Sequence, residues 1–188
     1  MKIWRHFKTI TEHKRMVMRG CFSVGLYRQG ILHDLSKYMP SEFFVGARYY
    51  QGTQSPNNAE RLEKGYSSAW LHHKGRNKHH YEYWTDYSVK RGAGIVPAKM
   101  PLRYVVEMFM DRVAASKNYN KGSYTDDLPL RYYQSGSAAR YMHDDTRKLL
   151  EKLLKMLAQK GERYTVRYIR RKIIPQIRAE ERCRQEQK

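Results

Sequence analysis

Apolar side chains recur at helical spacing through the first part of the chain. Successive positions lie three, four or seven residues apart and so share one helix face; they are Ile3, Phe7, Ile10, Val17, Cys21 and Val24. His13 lies on the same stripe, so we expect its imidazole to point inward. The pattern predicts one long helix over the first thirty residues, interrupted at Gly25 and Gly30, and then a short helical segment over 31–37.

Helix signals and turn signals alternate through the middle of the chain. Pro40 and Ser41 are typical of a helix start, with either Ser41 as the N-cap or Pro40 near the first turn. Polar, turn-forming residues predict a loop over 51–58. A second amphipathic pattern predicts a helix over about 59–73, with an inward face of Leu62, Tyr66, Ala69, Trp70 and His73. Glycine and proline favour a loop over 85–100.

The second half of the chain contains the most apolar helical pattern. Pro101 opens the segment LRYVVEMFMDRVAAS, whose apolar residues on both sides predict a central helix with Asp111 buried in it. Residues 119–137 are rich in Gly, Ser, Asp and Tyr and predict an irregular loop. Two amphipathic helices are expected over 142–188, with a bend at Pro175. No strand-like alternation of useful length occurs, so the sequence predicts an all-α fold.

Length and composition are those of one domain spanning 1–188. Hydrophobic residues make up 40% of the chain and aromatic residues 13%, which is enough to build a core. We expect the basic amphipathic helices of 142–188 to pack on this domain or to extend it. The sequence has no apolar run near the roughly 18 residues of a membrane span and no secretory signal. Cys21 and Cys183 do not suggest a disulfide framework, so a cytoplasmic location is expected.

The net charge is strongly positive. The chain has 37 Lys and Arg residues against 18 Asp and Glu residues, a formal net charge of +19. Such a field attracts polyanions, so nucleic acid is one candidate partner. A phosphate-bearing small molecule fits the same charge, and no nucleic-acid-binding motif decides between the two. The oligomeric state is not predicted.

Several histidines and aspartates form a pattern suited to metal binding. His33 and Asp34 are adjacent, and both can reach one cation only if a helix turn fixes the backbone between them. His13 is expected to face inward, as is Asp111 on the central helix. Four more histidines flank one turn, namely His72, His73, His79 and His80. Mixed imidazole and carboxylate sets suit divalent Mn, Fe, Zn, Co or Ni, so we expect one or two such ions.

The order of these residues resembles the HD superfamily of metal-dependent phosphohydrolases. The segment GILHDLSK is similar to the part of that family that carries its His-Asp pair, and EMFMDRVAAS resembles the helix that carries its last aspartate. HHKGRNKHHYEYW, HDLSKYMPSEF and EMFMD together resemble a group of bacterial and phage proteins catalogued as a domain of unknown function. The resemblance covers roughly residues 6–118.

The resemblance implies an HD-like helical bundle with extra C-terminal helices and a metal centre inside it. His13, His33, Asp34 and Asp111 would hold a first ion, and Asp34 would bridge to a second. Histidines of the two pairs would complete the second site. His73 and His80 are favoured there, and His79 is next.

Neighbouring residues are candidates for supporting roles. Asp34 and Lys37 are the candidate catalytic residues, since Asp34 can steer an attacking water and Lys37 can balance charge. Phosphate oxygens would meet basic or polar side chains beside the ligands; the candidates are Lys37, Lys74, Arg76, Asn77 and Arg112. Glu42, Glu82 and Glu107 are candidates for orienting the histidines, and Glu107 is the best placed, one turn before Asp111.

Three functions fit these features. The first is metal-dependent hydrolysis of a nucleotide or another phosphate ester. The second is oxygen activation by two irons, as in some HD proteins. The third is a non-catalytic, metal-stabilised protein that binds nucleic acid. The chain has no phosphate-binding loop, no dinucleotide fingerprint, no HExxH motif and no GxSxG motif, so those templates are excluded.

Overall fold

The computed structural model describes residues 2–186, and most of them are helical. The α-helices are α1 (Lys2–Val24), α2 (Tyr27–Leu32), α3 (Pro40–Arg48), α4 (Pro56–Lys64), α5 (Ser68–Arg76), α6 (Leu102–Tyr119), α7 (Leu128–Ser135), α8 (Asp144–Tyr168) and α9 (Ile174–Glu186). Short 3-10 helices cover Leu35–Tyr38, Tyr81–Tyr83 and Ala138–Tyr141. The predicted all-α class is confirmed.

Helices α1 and α6 form the centre of the molecule. They pack against each other, α1 also contacts α2 and α3, and α6 contacts α7, α8 and α9. Their facing apolar side chains are buried, and Val17, Cys21 and Val106 are each fully inaccessible to solvent. Burial of such side chains stabilises a fold by roughly 1.5–3 kcal/mol each. The two helices are therefore a rigid support for polar groups that they carry.

Two predicted apolar faces differ from the structure. Ile3 is 56% exposed, so the inward stripe of α1 begins only at His6 and Ile10. The predicted helix over 59–73 is two helices, α4 and α5, because Gly65 takes a left-handed conformation with φ 79° and ends α4. Leu62, expected inside, is 86% exposed, and Glu60 is the buried residue of α4.

Two predicted loops contain regular structure. Within 85–100, strands β1 (Thr85–Tyr87) and β2 (Ile95–Pro97) pair antiparallel, with Asp86 opposite Val96. Each strand has three residues, which is too short for an alternation pattern to be visible in the sequence. Within 119–137, α7 begins after Asp127 with proline in its first turn, a position where proline loses no hydrogen bond.

The C-terminal helices contribute directly to the core. Ile169, Ile173 and Ile177 are at most 4% exposed, as their helical spacing predicts. The predicted bend at Pro175 takes another form: a π-helical turn covers Ile169–Ile173 just before α9. A separate break lies at Gly161, whose φ of 77° is not helical. Over residues 2–186, every helix is too short or too polar to cross a membrane.

Candidate metal centre

A left-handed turn places the His-Asp pair. Helix α2 ends at Leu32, His33 follows with φ −52° and ψ 126°, and Asp34 has φ 53° and ψ 26°. Aspartate tolerates this region better than most residues because its side chain bonds locally. The turn directs both consecutive side chains into the interior, where His33 and Asp34 are each 1% exposed. The Nε2 atom of His33 lies 3.2 Å from Oδ2 of Asp34.

The two central helices bring a histidine and a carboxylate to the same point. His13 of α1 has its Nε2 2.9 Å from Oδ1 of Asp111 on α6 and 3.7 Å from Oδ2 of Asp34. Nε2 of His33 lies 3.6 Å from the same Asp111 oxygen. One donor atom from each of His13, His33, Asp34 and Asp111 lies within 4.8 Å of the others, so the four can share one metal ion.

A second group of donors faces the other oxygen of Asp34. His73 comes from α5, and the turn after α5 carries His79 and His80. The Nε2 atoms of His73 and His79 lie 3.3 Å and 3.4 Å from Oδ1 of Asp34. His80 completes a set whose donor atoms all lie within 4.8 Å of one another. Asp34 therefore presents Oδ2 to one group and Oδ1 to the other.

Most donor atoms of the two groups are buried and lack a hydrogen bond of good geometry, although Lys37 contacts Asp34 and Asp111 contacts His13. Among residues 2–186, the buried nitrogens and oxygens of this kind include Nε2 of His13, His33, His73, His79 and His80 and both carboxylate oxygens of Asp34. Buried polar atoms are ordinarily paired, because an unpaired one costs about 1–3 kcal/mol. The convergence of seven such atoms on two points fits the binding of cations by these residues.

Two glutamates hold the opposite edges of the rings. Oε1 of Glu107, one turn before Asp111, lies 3.0 Å from Nδ1 of His33 and 3.3 Å from Nδ1 of His79. Glu107 thus links one histidine of each group. Oε2 of Glu42 lies 2.8 Å from Nδ1 of His73. A carboxylate on Nδ1 fixes the ring and leaves Nε2 free as a ligand.

Electrostatics keep the acidic residues of the cluster ionised. Burial by itself raises the pKa of Asp34, but His33, Lys37 and His73 hold that pKa well below its usual range. Burial likewise raises the pKa of Asp111, but the neighbouring rings of His13 and His33 outweigh it and hold that pKa well below its usual range. For His80, burial lowers the pKa, and the neighbouring histidines lower it further. The lowered pKa favours the neutral imidazole, which is the form that binds metal.

Lysines on either side secure the turn at Asp34. Lys37 Nζ contacts Oδ2 of Asp34 and is 30% exposed, so it lies between the buried donors and solvent. Lys14, which the sequence pattern does not single out, donates from Nζ to the backbone carbonyls of Ile31 and His33, each at 2.7 Å. In the sequence, only the position of Lys14 next to His13 suggests a role at the site. The hydrogen bonds themselves depend on how α1 packs against the turn at Asp34.

Some residues proposed from sequence lie apart from the donor groups. His72 contacts Oε1 of Glu42 and belongs to neither group. Asn77 ends α5 and donates 2.8 Å hydrogen bonds to the His73 carbonyl and to Ser36 Oγ, which itself lies 3.2 Å from Nδ1 of His73. Asn77 and Ser36 thus support His73, and Ser36 is a further residue that the pattern did not reveal.

The remaining candidates have other surroundings. Glu82 has no hydrogen bond to a histidine among residues 2–186, so the expected orienting contact does not form. Lys74 and Arg76 follow His73 on the accessible end of α5. Arg112, next to Asp111, lies over the ring of Tyr133 at 5.5 Å and has a buried Nε without a partner. Of the basic candidates, Lys37 is the one that contacts the donor cluster.

The fold and site together define an all-helical protein whose centre is a buried cluster of histidines and carboxylates. Comparison with family models places residues 2–156 in DUF5662, described as a family of unknown function, and the chain belongs to that family. This agrees with the predicted likeness to a group without assigned function. No curated protein and no solved structure matches the chain.

Proposed function

We propose that this protein is a metal-dependent phosphohydrolase with two adjacent cation sites that share Asp34. One site would be formed by His13, His33 and Asp111 with Oδ2 of Asp34, and the second would lie on the side of Oδ1. The observation that supports the proposal is the division of the two Asp34 oxygens, each of which faces a separate set of donors, with Lys37 as a further contact of Oδ2. A carboxylate with its two oxygens so divided suits two neighbouring ions better than one.

The second site would consist of His73, His79 and His80 with Oδ1 of Asp34. Charge supports cations at both sites. Four carboxylates, Asp34, Glu42, Glu107 and Asp111, lie in or against the cluster, and among residues 2–186 Lys37 is the one lysine that contacts a donor. The carboxylates raise the pKa of His33 and His73, so these rings hold protons that cations would displace; once the imidazoles are neutral, the four carboxylates leave an excess of negative charge that divalent cations would offset.

Hydrolysis is the chemistry that this arrangement supports best. Divalent ions held in this way lower the pKa of bound water and polarise a phosphoryl oxygen. In the proposed reaction Asp34 would accept a hydrogen bond from the attacking water and so orient it. Lys37, which reaches from Asp34 towards solvent, is positioned to stabilise negative charge on a phosphate group. A nucleotide or another phosphate ester is the proposed substrate class.

Metal analysis of matched variants tests the two sites separately. The purified protein, stripped with chelator and reloaded with Mn, Fe(II), Zn, Co or Ni, should bind two ions of at least one metal per chain. His13→Ala and His73→Ala should each retain one ion, and Asp34→Ala should retain none. Glu63→Gln is the control, because Glu63 pairs with Tyr49 and Arg48 away from the cluster.

Release of phosphate from nucleotides and from p-nitrophenyl phosphate tests the reaction. All three ligand variants should lose activity, and the control should keep it. Full metal content in His13→Ala and His73→Ala would contradict the assignment of ligands. Two bound irons with a redox-linked absorbance change and no phosphate release would contradict hydrolysis and favour oxygen activation.

A further inference from the structure

Four arginines line an open cleft far along the chain from the donor cluster. The cleft is bounded by Arg163, Arg167, Arg170 and Arg171, with Val166 between them. All four arginines are exposed, and none forms an ion pair with another residue of the 2–186 range. The opposite side of the same helical stretch, at Ile169 and Ile173, is buried in the core. The helix thus fixes the arginines on a rigid face.

The sequence around the cleft contains no compensating acid. Residues 163–178 read RYTVRYIRRKIIPQIR, with six basic residues and no Asp or Glu. Elsewhere on these helices acids do pair with basic residues, as Glu162 does with Lys117 and Glu181 with Arg103. Like charges three or four residues apart on a helix destabilise it. The arginine row therefore opposes folding, and a bound anion would relieve the repulsion.

The chemistry of the row indicates a repeating phosphate ligand. Guanidinium groups form paired hydrogen bonds with phosphate, and an anion with several charges is needed to engage four of them. Arg163 and Arg171 are eight residues apart, which is about 12 Å along a helix at a rise of 1.5 Å per residue. That length corresponds to about three or four phosphates along one strand of a duplex, at 3.4 Å each.

A membrane surface fits this face less well. Helices that lie on membranes bury an apolar face among the lipids. Here the apolar residues of the helix, Ile169, Ile173 and Ile177, are already buried in the protein. Most side chains on the outside are charged or polar; Val166, half-buried in the cleft, and Pro175 are the apolar ones there within 163–178.

We propose that the cleft formed by Arg163, Arg167, Arg170 and Arg171 binds the phosphodiester backbone of a nucleic acid. The contact is to phosphates, so it is independent of base sequence. This binding does not involve the donor cluster, so the proposal holds whether or not that cluster binds metal. The overall charge of +19 adds long-range attraction, and the cleft localises the contact.

Binding of fluorescent 20-nucleotide DNA and RNA, single-stranded and duplex, tests the proposal across a salt series. The variant carries Gln at all four cleft arginines. Its matched control carries Gln at Arg5, Arg15, Arg19 and Arg28, which are exposed, lie on α1 and α2 and have no ion pair within 2–186. Both variants lose the same charge, so they differ only in where it is lost.

The cleft variant should lose at least about tenfold in affinity near 0.1 M salt. Its slope of log affinity against log salt should be smaller by about 3.6 on duplex and about 2.8 on single strands, if each arginine contacts one phosphate. The control should keep most of its slope. Equal losses in both variants would overturn the proposal, because they would mean that only the total charge matters. So would the absence of salt-dependent binding by the full chain.

Two further probes identify the ligand class. Polyglutamate and vesicles containing anionic lipid should bind more weakly than the oligonucleotides and should respond equally to the two variants. Selective loss of vesicle or polyglutamate binding in the cleft variant, with oligonucleotide binding retained, would overturn the proposal. If the fourfold variant unfolds, the double variants Arg163→Gln/Arg167→Gln and Arg170→Gln/Arg171→Gln replace it, each with about half the slope change.

Discussion

Oε1 of Glu107 lies 3.0 Å from Nδ1 of His33, and the same oxygen lies 3.3 Å from Nδ1 of His79. One carboxylate on the central helix α6 therefore orients a ring from each of the two donor groups. The rings of His33 and His79 lie 4.4 Å apart between their centroids. Displacement of Glu107 would consequently disturb both groups together, even though it is not assigned to either proposed site.

Glu107→Gln tests this shared role. Glutamine keeps the shape of the side chain, but its neutral amide oxygen accepts from the two Nδ1–H groups more weakly than the charged carboxylate oxygen does. We expect metal affinity to fall by about 10–100-fold, the usual effect of losing such a contact, with helical circular dichroism unchanged. Titration of metal ions into the chelator-stripped protein measures this affinity, and Glu63→Gln is the control. Wild-type affinity in Glu107→Gln would show that the rings are held by packing alone.

The left-handed conformation of Asp34 leads to a prediction about stability. Its φ of 53° favours glycine over alanine by roughly 1–2 kcal/mol. In metal-free protein, Asp34→Gly should therefore be more stable than Asp34→Ala by about 1 kcal/mol in urea unfolding. At an ordinary helical position the order is the reverse, because glycine has the larger unfolded-state entropy. Greater stability of the alanine variant would mean that the turn relaxes without strain.

Gly46 on α3 allows a close approach by His6 of α1. A Cβ atom added at Gly46 would lie 2.6 Å from Nε2 of His6, whereas one at Gly75 of α5 would have nothing within 4 Å. We expect Gly46→Ala to destabilise the fold by about 1–3 kcal/mol through overpacking. Gly75→Ala should be neutral or stabilising by up to about 1 kcal/mol. Thermal unfolding of the pair compares them, and equal melting temperatures would contradict the contact.

Glu60 gives a prediction on pH. Burial raises its pKa, but hydrogen bonds from Ser68, Ser67 and Lys64 outweigh burial and lower the pKa to about 2. Since the folded pKa is below the unfolded value, the stabilisation is complete above about pH 5 and is lost as pH falls towards 2. Urea unfolding should show Glu60→Gln less stable than the wild type at pH 7, with the difference shrinking between pH 5 and 3. A constant difference across that range would contradict the lowered pKa.

Periodicity was sufficient for the site residues that lie on regular helices. His13 shares its face with Ile10 and Val17, and Asp111 lies on a helix with apolar residues on both sides, so both could be placed near the core. Asp111 retains 17% exposure of its side chain, because it lies at the margin of the cluster. Such patterns do not indicate which of His72, His73, His79 and His80 belong to the donor groups.

That choice depends on contacts between elements distant in the sequence. His79 is held by Glu107 of α6, and the ring of His80 lies 4.7 Å from that of Trp70 on α5. Neither contact produces a periodic pattern of residues in the sequence. The same limit applies to α4, where Glu60 is buried because hydroxyls of Ser67 and Ser68 bind it, while Leu62 remains exposed. Local polar contacts overrode the hydrophobic pattern there.

Removal of residues 162–188 tests whether the C-terminal helices belong to the core. The deletion takes away Ile169, Ile173 and Ile177, which are buried against the rest of the chain. Each such side chain contributes roughly 1.5–3 kcal/mol, and a domain has only about 5–15 kcal/mol of stability in total. The truncated protein should therefore aggregate or lose its cooperative melting transition. Charge alone cannot explain that outcome, because the fourfold Arg→Gln variant of the cleft keeps every buried isoleucine and, with less like-charge repulsion, should melt at or slightly above the wild-type temperature. A soluble, cooperatively folded truncation would instead show that α1 and α6 can complete their core without the last two helical segments.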